Sequence, residues 1–269
     1  MDKIAFVVVR YGLDVNGGAE YHVRMLAERL TNKYHVEVLT TCVKDYITGD
    51  NYFPEGQEII NKVLVRRFQV DPVDKEHYSL YWKKTKKTRK LRRFLYQLHL
   101  LTPISYFFPV WTWQTNNELK MLNGDVFYSS LLFSFIKEHK EGYKALIPIS
   151  IDYPQMYYTA LYAPEKTIII PTMHYHSVSF RSVLTSIFTK VAYVAFNTRA
   201  EEKLGERIFG HAIAPHGIVS VSVDLAEPAD WEMIQPKYGL PQEYLLYVGR
   251  IEVTKLHRVF DYFLSYKSI

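Results

Sequence analysis

Two histidines follow a short apolar strand in the middle of the chain, at a position where side chains can do chemistry. The strand is predicted over residues 167–170, and the sequence Pro-Thr-Met leads from it to His174, with His176 two positions further on. Ligands of open α/β sheets bind at the carboxyl ends of the strands. A histidine there can hydrogen-bond a substrate, so this segment is a candidate for a catalytic or ligand-contacting site.

The same pair of histidines raises the alternative of a metal site, because residues two apart in a strand lie on one face. No cysteine or carboxylate at ligand spacing accompanies His174 and His176, and the sequence contains no Asp-x-Asp motif. A metal centre needs these further ligands. We therefore predict no metal and no cofactor.

Two adjacent glycines, Gly17 and Gly18, lie at the predicted start of the first helix. Without a Cβ, the free backbone N–H groups of a helix start can approach an anion, and the helix dipole favours a phosphate or diphosphate there. An ordinary turn is the alternative. The loop matches neither G-x-G-x-x-G nor the P-loop pattern, which argues against dinucleotide-dependent oxidoreductases and P-loop NTPases.

A second turn between a predicted strand and a helix carries Arg250 and Lys255, five residues apart. Arginine can hold a diphosphate with its planar fork and lysine as a point charge, so the two can converge on one ligand. The alternative is a pair of solvated cations beside a helix.

The elements that must position these residues alternate between apolar strands and amphipathic helical patterns. This alternation predicts an α/β fold in which a Rossmann-like parallel sheet has helices on both faces. Cys42, the single cysteine, is predicted to be a buried thiol in the second strand. Strands are predicted at 4–9, 36–42, 63–68, 145–150, 167–170, 192–197 and 211–214.

The chain has 269 residues, of which 48% are hydrophobic, and this excludes a disordered chain. We predict a Rossmann-like domain at 1–218 with an insertion at about 70–117, and a proline-containing linker at 219–241. Residues 242–269 hold one strand and one helix, which cannot bury a core alone. They are interpreted as the start of a second Rossmann-like domain, which is incomplete in this chain.

The insertion contains a concentrated run of positive charge, called the basic run below. The net charge of +5 includes eight cations of this run, so the rest of the chain sums to −3. A local run of this kind indicates what that segment contacts, such as an anionic membrane surface or a polyanion, and no nucleic acid is expected. The basic run consists of Lys83, Lys84, Lys86, Lys87, Arg89, Lys90, Arg92 and Arg93.

Residues 94–117 carry no formal charge and are rich in aromatic side chains. Pro103, Pro109 and scattered polar residues make a membrane-spanning helix a poor fit. One hypothesis is an interfacial segment, with the basic run at the level of lipid headgroups beside an aromatic face. The alternative is a solvated basic helix face that leads into a buried helix and an ordered loop.

Taken in order, several segments resemble glycosyltransferase family 4, whose members have two Rossmann-like domains facing across a cleft, the GT-B architecture. The likeness covers the whole chain except 70–117, and the ordered combination is more specific than any single motif. The segments are 4–9 with Gly-Gly-Ala-Glu at 17–20, Pro-Thr-Met-His at 171–174, Phe-Asn-Thr-Arg-Ala-Glu-Glu at 196–202, Pro-His-Gly-Ile at 215–218, and Tyr-Leu-Leu-Tyr-Val-Gly-Arg at 244–250 with Lys255.

The resemblance implies roles for particular residues. Arg250 and Lys255 would bind the diphosphate of a nucleotide-sugar donor, with Gly17 and Gly18 across the cleft from them. His174 would face the transferred sugar and stabilise charge by hydrogen bonding. The resemblance further implies a hexosyltransferase that acts with retention of configuration, without a metal, on a glycan or lipid-linked acceptor.

Two departures from the family pattern are Tyr175-His176 in place of Asp-Glu and Leu256 in place of a glycine. The family's Glu-x7-Glu segment, which holds the donor sugar, would lie past Ile269. We therefore expect an acceptor-side domain with an incomplete donor-binding domain, and little or no activity from this chain alone. The expected location is cytoplasmic, on the inner face of a membrane, and the alternative function is a non-catalytic peripheral membrane or polyanion-binding module.

Overall fold

The structure is a computed structural model, and it describes residues 1–221, 227–244, 246–247, 262 and 265. The chain divides into two compact units, Met1–Val221 and Ser222–Ile269. All strands and all but one of the helices named below belong to the first unit.

The first unit is built around short strands, most of which lie where apolar runs predict them. Their bounds are β1 Lys3–Val7, β2 His35–Thr41, β3 Gly56–Ile60, β4 Val63–Phe68, β5 Ala145–Pro148, β6 Ile168–Ile169, β7 Tyr193–Phe196 and β8 His216–Ile218.

Helices connect these strands and make up the insertion. Their bounds are α1 Gly18–Leu30, α2 Lys75–Lys84, α3 Lys86–Gln97, α4 Leu101–Phe107, α5 Thr115–Leu122, α6 Ser130–His139, α7 Pro154–Tyr162, α8 Val183–Lys190, α9 Arg199–Phe209 and α10 Trp231–Tyr238.

The strands form a parallel sheet in two hydrogen-bonded parts, with orders β3-β4-β2-β1-β5 and β6-β7-β8. Isolated parallel bridges from Leu146 to Thr167 and from Ile149 to Ile170 continue β5 into β6, so the two parts follow one another edge to edge. Only β3 pairs antiparallel among the described strands. The carboxyl ends of the parallel strands therefore lie at one edge.

Both faces of the sheet are covered, as continuous apolar strands require. Ile4 and Phe6 of β1 pack in one core cluster with Val23 of α1, whereas Ala5 and Val7 point to the opposite face and join the cluster under α7 and α8. The predicted α/β fold with a Rossmann-like parallel sheet and helices on both faces is confirmed. Cys42 is buried and free as predicted, and burial raises the pKa of its thiol to about 11.

One strand prediction is wrong, and one strand was not predicted. The strand predicted at 211–214 is a short 3₁₀ turn, Gly210–Ala212, and an irregular segment; β8 begins later, at His216. Gly210 follows α9 with a φ of 70°, and the chain first pairs with β7 at His216, opposite Val194. β3 was not predicted, because its residues are mostly exposed and lack a repeating apolar face.

The insertion is helical, and α2 to α5 run through it. Residues 94–117 are divided among the end of α3, α4, a loop and the start of α5. No helix among the described residues is long and apolar enough to cross a membrane.

The segment predicted as a linker, 219–241, contains α10. Asp230 caps this helix by accepting a hydrogen bond from the Glu232 backbone N–H, and Gly239 follows it in the left-handed conformation. These residues belong to the second compact unit, where Trp231 stacks on Tyr244.

Candidate functional site

The candidate site lies at the carboxyl edge of the sheet. We call the loops that follow β1, β5, β6 and β7 the edge loops. Because the strand order is β1, β5, β6, β7, these loops lie side by side in that order. The loop after β6 carries His174, and the loop after β7 carries Asn197 and Thr198. This is where open α/β sheets bind ligands.

A cavity of about 500 Å³ opens between the loops after β6 and β7. His174 lies on its wall and is exposed. Polar groups that could hydrogen-bond sugar hydroxyls or an anion converge on the same space. They include Tyr96, Thr172, Tyr175, Asn197, Thr198, Lys203 and Arg207.

A buried carboxylate fastens these two loops together. Glu201 of α9 accepts a hydrogen bond of 2.6 Å from the Met173 backbone N–H and one of 2.7 Å from the Asn197 backbone N–H. Burial raises the pKa of Glu201, while these two N–H groups and nearby His174 act in the opposite direction. The carboxylate therefore fixes the backbone next to His174.

The loop after β6 also adopts an unusual backbone conformation. Thr172 has a φ of 47°, in the left-handed region that a β-branched side chain rarely enters. Ser150, in the loop after β5, has a φ of 72°. Backbone strain of this kind is found preferentially at binding and catalytic sites. It lies here two residues before His174.

His176 has a carboxylate partner that the sequence interpretation missed. Its Nε2 lies 3.3 Å from Oδ1 of Asp152, which stands in the loop after β5. Burial raises the pKa of Asp152, but the hydrogen bond and charge of His176, together with Arg181 and Ser150, outweigh burial, so the net change in pKa is downward. The signal for it in the sequence was an acid two residues after the strand predicted at 145–150. His174 and His176 have ring centroids 6.3 Å apart with planes at 85°.

Gly17 and Gly18 lie where they were predicted, at the start of α1. Gly17 has a φ of 146°, and a Cβ there would lie 2.1 Å from the Glu20 carboxylate, whereas a Cβ at Gly18 would meet nothing within 4 Å. Arg10 holds the buried Glu20 through contacts of 2.9 and 3.2 Å and also donates to the Asn16 carbonyl. The sequence interpretation did not identify this Arg10–Glu20 pair, although Glu20 belongs to the Gly-Gly-Ala-Glu motif.

The structure thus places Gly17, Gly18 and His174 on the same edge, with the loop after β5 between them. Arg250 and Lys255 lie outside the described residues.

The basic run does not behave as one surface. Arg89 and Arg92 are 3% and 0% exposed, so the prediction that they face a membrane is corrected. Arg92 donates hydrogen bonds to the carbonyl oxygens of Phe180 and Arg181. Buried carbonyl oxygens require a hydrogen-bond donor, and this accounts for the burial of the Arg92 side chain. The other members, Lys83, Lys84, Lys86, Lys87, Lys90 and Arg93, are exposed.

One further group of side chains could hold a cation. The ligand atoms of Glu202, Glu206 and His216 lie within 4.8 Å of one another. Glu202 is also paired with Arg199, and His216 Nε2 lies 3.6 Å from Glu206. These residues stand on α9 and β8, apart from the predicted catalytic histidine.

Comparison with known proteins gave a likeness to solved structures. No protein-family profile and no curated protein matches this chain. Among solved structures, the chain is similar to a sucrose-phosphate synthase from Thermosynechococcus elongatus, with 14% identity and a TM-score of 0.45. The match covers 88% of this chain and 96% of that chain.

Proposed function

We propose that this chain contributes the acceptor-side domain of a glycosyltransferase that uses a nucleotide-sugar donor. The reaction is the transfer of a hexose to a glycan or lipid-linked acceptor with retention of configuration and without a metal. The protein acts in the cytoplasm, at the inner face of a membrane. The resemblance of the motifs to glycosyltransferase family 4 motivates each of these points.

One observation carries the proposal. Glu201, from the Phe-Asn-Thr-Arg-Ala-Glu-Glu motif, accepts hydrogen bonds from Met173, in the Pro-Thr-Met-His motif, and from Asn197. These two motifs lie apart in the sequence, and the hydrogen bonds of Glu201 bring them together at one cavity. The arrangement gives both motifs a common task, which is to hold the backbone beside His174.

The chemistry follows from the groups at this edge. Sugar transfer from a diphosphate develops negative charge on the leaving group, and fixed dipoles and cations stabilise that charge. In the proposal, the start of α1 at Gly17 and Gly18, together with Arg250 and Lys255, serves the diphosphate. His174 hydrogen-bonds the transferred sugar and stabilises charge at the reacting centre.

The test is release of nucleotide from a panel of nucleotide sugars, with binding to the chain followed by NMR line broadening. We expect at least one donor to bind, and turnover slower than about 1 per second, the low end of ordinary enzyme rates. His174→Ala should abolish the turnover. His211→Ala, at an exposed histidine outside the edge loops, is the matched control.

Failure of every nucleotide sugar to bind would overturn the use of a nucleotide-sugar donor, and turnover of about 1 per second or above would overturn the expectation of little or no activity from this chain alone. Equal turnover by His174→Ala and His211→Ala would retain transfer but remove His174 from the reaction.

A second candidate, a non-catalytic peripheral membrane or polyanion-binding module, is favoured by the exposed aromatic residues of the insertion. Tyr106, Phe107 and Phe108 are 61%, 73% and 68% exposed. The exposed cations of the basic run precede them in the chain. Aromatic rings beside cations suit the headgroup region of an anionic membrane.

Vesicle co-sedimentation tests this candidate. Neutralising Lys83, Lys84, Lys86 and Lys87 together should release the protein from phosphatidic acid vesicles, because attraction to the surface scales with the number of cations. Unchanged sedimentation of the variant would exclude the membrane role.

A further inference from the structure

A second cavity, of about 380 Å³, lies against the basic run and is distinct from the cavity beside His174. We call it the cationic cavity. Its volume is within the range of roughly 300–1,000 Å³ that is usual for small-ligand pockets. It is lined by Trp82, Lys83, Lys86, Arg89, Lys90, Arg93 and Ser177, and no described residue that lines it is acidic.

The cations reach this cavity because of helix geometry. Lys86, Lys90 and Arg93 are spaced i, i+4 and i+7 in α3 and therefore share one face. Lys83, from the last turn of α2, adds a fourth exposed cation. The turn between α2 and α3 thus places four cations close together. Their mutual repulsion would be relieved by an anion bound in the cavity.

A rigid cation lies beneath the exposed ones. Arg89 is buried and donates to the Thr85 hydroxyl and, at 2.9 Å, to the Trp82 carbonyl. Its guanidinium lies 3.8 Å from the centroid of the Trp82 ring. Because these contacts fix the side chain, the charge is already in place and little conformational entropy is lost when a ligand binds.

Buried charges of both signs lie in the interior next to Trp82, where the Arg181 guanidinium is 5.8 Å from the centroid of the Trp82 ring. The Glu118 carboxylate interacts with both Arg92 and Arg181, and Asp125 and Asp152 also interact with Arg181. Glu118 also accepts hydrogen bonds of 3.0 and 2.8 Å from the backbone N–H groups of Ser182 and Val183. Its charge is therefore shared between those donors and the two arginines. Charges in a low-dielectric interior act over longer distances than solvated ones.

We propose that the cationic cavity binds a phosphate or diphosphate group. Arg89 and Arg93 offer planar guanidinium donors, the lysines supply point charges, and the Ser177 hydroxyl completes the wall. Phosphate oxygens accept several such charge-assisted hydrogen bonds at once. The site goes beyond the sugar-transfer reaction proposed above, since nucleotide-sugar binding does not require it.

The cavity is connected to the candidate active site through one side chain. Arg93 lines the cationic cavity and donates to the hydroxyl of Tyr175 at 3.2 Å. Tyr175 in turn lines the cavity that holds His174. If the proposed transferase function holds, this contact places the phosphate site next to the cavity of His174, which fits an acceptor that bears a phosphate.

Inorganic pyrophosphate, titrated calorimetrically into the full chain, is the first probe. The double variant Lys86→Gln/Lys90→Gln removes two charges from the cavity, and we expect at least tenfold weaker binding because each lost contact is charge-assisted. Lys84→Gln/Lys87→Gln removes the same charge from exposed lysines of the same helices that do not line the cavity. This control should change affinity by less than about threefold, the size of a screened surface effect.

Vesicles distinguish the two sources of the phosphate. Phosphatidylcholine vesicles with and without phosphatidic acid are co-sedimented with both double variants. If only Lys86→Gln/Lys90→Gln loses binding to the vesicles that contain phosphatidic acid, the ligand of the cavity is a lipid headgroup. A pyrophosphate effect without a vesicle effect assigns it to a free phosphate compound.

Equal weakening by the two double variants in both assays, or no pyrophosphate and no vesicle binding, overturns the proposal. These readouts do not depend on turnover. Loss of the transferase function therefore leaves the phosphate site testable, and loss of the phosphate site leaves the transferase function testable.

Discussion

The edge loops and the basic run both concentrate polar residues, but they use them in opposite ways. In the loops after β6 and β7, the buried charge that holds the backbone is a carboxylate, Glu201, and it accepts backbone N–H groups. In the basic run, the fully buried charge is Arg92, and it donates to backbone carbonyls. In each region a few buried charges fix the backbone, and the exposed neighbours are left available for ligands.

The comparison teaches that position in the fold, and not residue type, separates structural from functional charge. His174 is exposed on a loop whose backbone Glu201 holds. Lys86 and Lys90 are exposed on a helix that Arg92 attaches to the core. The variants below test whether the buried charges stabilise the fold while their exposed neighbours do not.

The largest effect is expected in the basic run. Arg92→Ala should lower the free energy of unfolding by about 3 kcal/mol, because it removes a packed side chain and leaves two buried carbonyls without donors. Urea unfolding measures it. Lys87→Ala, on an exposed position of the same helix, should stay within about 0.5 kcal/mol of the wild type. Similar stability of the two variants would show that Arg92 has no structural task.

At the edge loops, Glu201→Ala is expected to cost about 2–3 kcal/mol, since one buried and one partly buried N–H group lose a charged acceptor. Thermal and urea unfolding measure the loss. Glu138→Ala, at an exposed glutamate of α6, is the control and should be nearly neutral. If Glu201→Ala unfolds like Glu138→Ala, the carboxylate does not hold the two loops.

The loop after β1 offers a matched pair of glycines. Gly17→Ala should cost about 2 kcal/mol, because a Cβ would collide with the Glu20 carboxylate at a φ that favours glycine. Gly18→Ala should cost less than about 0.5 kcal/mol, since the space around it is open. Equal losses measured by urea unfolding would contradict the described packing of Glu20.

The smallest effect concerns Asp152 and His176. Because the folded-state pKa of Asp152 is lowered, its carboxylate stabilises the fold above its ordinary pKa of 3.8, and this contribution is lost as the pH falls through the lower folded value. Asp152→Asn should therefore cost about 0.5 kcal/mol at pH 6, a figure reduced for solvent screening at this partly exposed pair.

Urea unfolding of Asp152→Asn and the wild type from pH 6 down to pH 2 checks this. The difference between the two proteins should shrink steadily as the acid form of Asp152 becomes populated. A difference that is constant over this range would mean that the ion pair contributes nothing to stability.

Much of the fold could be predicted from local pattern. The continuous apolar runs predicted β1, β2, β4 and β7 to within two residues at each end, because a buried parallel strand needs apolar side chains on both faces. β3 could not be found in this way, since an exposed edge strand does not show the alternation of apolar residues that marks a strand. The start of β8 was predicted too early, because the 3₁₀ turn that begins at Gly210 is not visible in the hydrophobic pattern.

The candidate site was predicted in part. His174, Gly17 and Gly18 follow apolar strands, so their place at the sheet edge could be inferred from the chain alone. Their partners Glu201, Asp152 and Arg10 could not, because each contact joins segments from different edge loops or helices. Glu201, for example, bonds a backbone group 28 residues earlier in the chain.

The sequence by itself determined the alternation of strands and helices, the buried Cys42 and the position of His174 after a strand. These follow from short-range periodicity of apolar residues. Only the tertiary structure decided which cations of the basic run face the core. Six of the first eight residues of α3 are cationic, and this part of the helix has no apolar stripe to mark its inner face. That face is set by the carbonyls of Phe180 and Arg181, 88 and 89 residues away from Arg92.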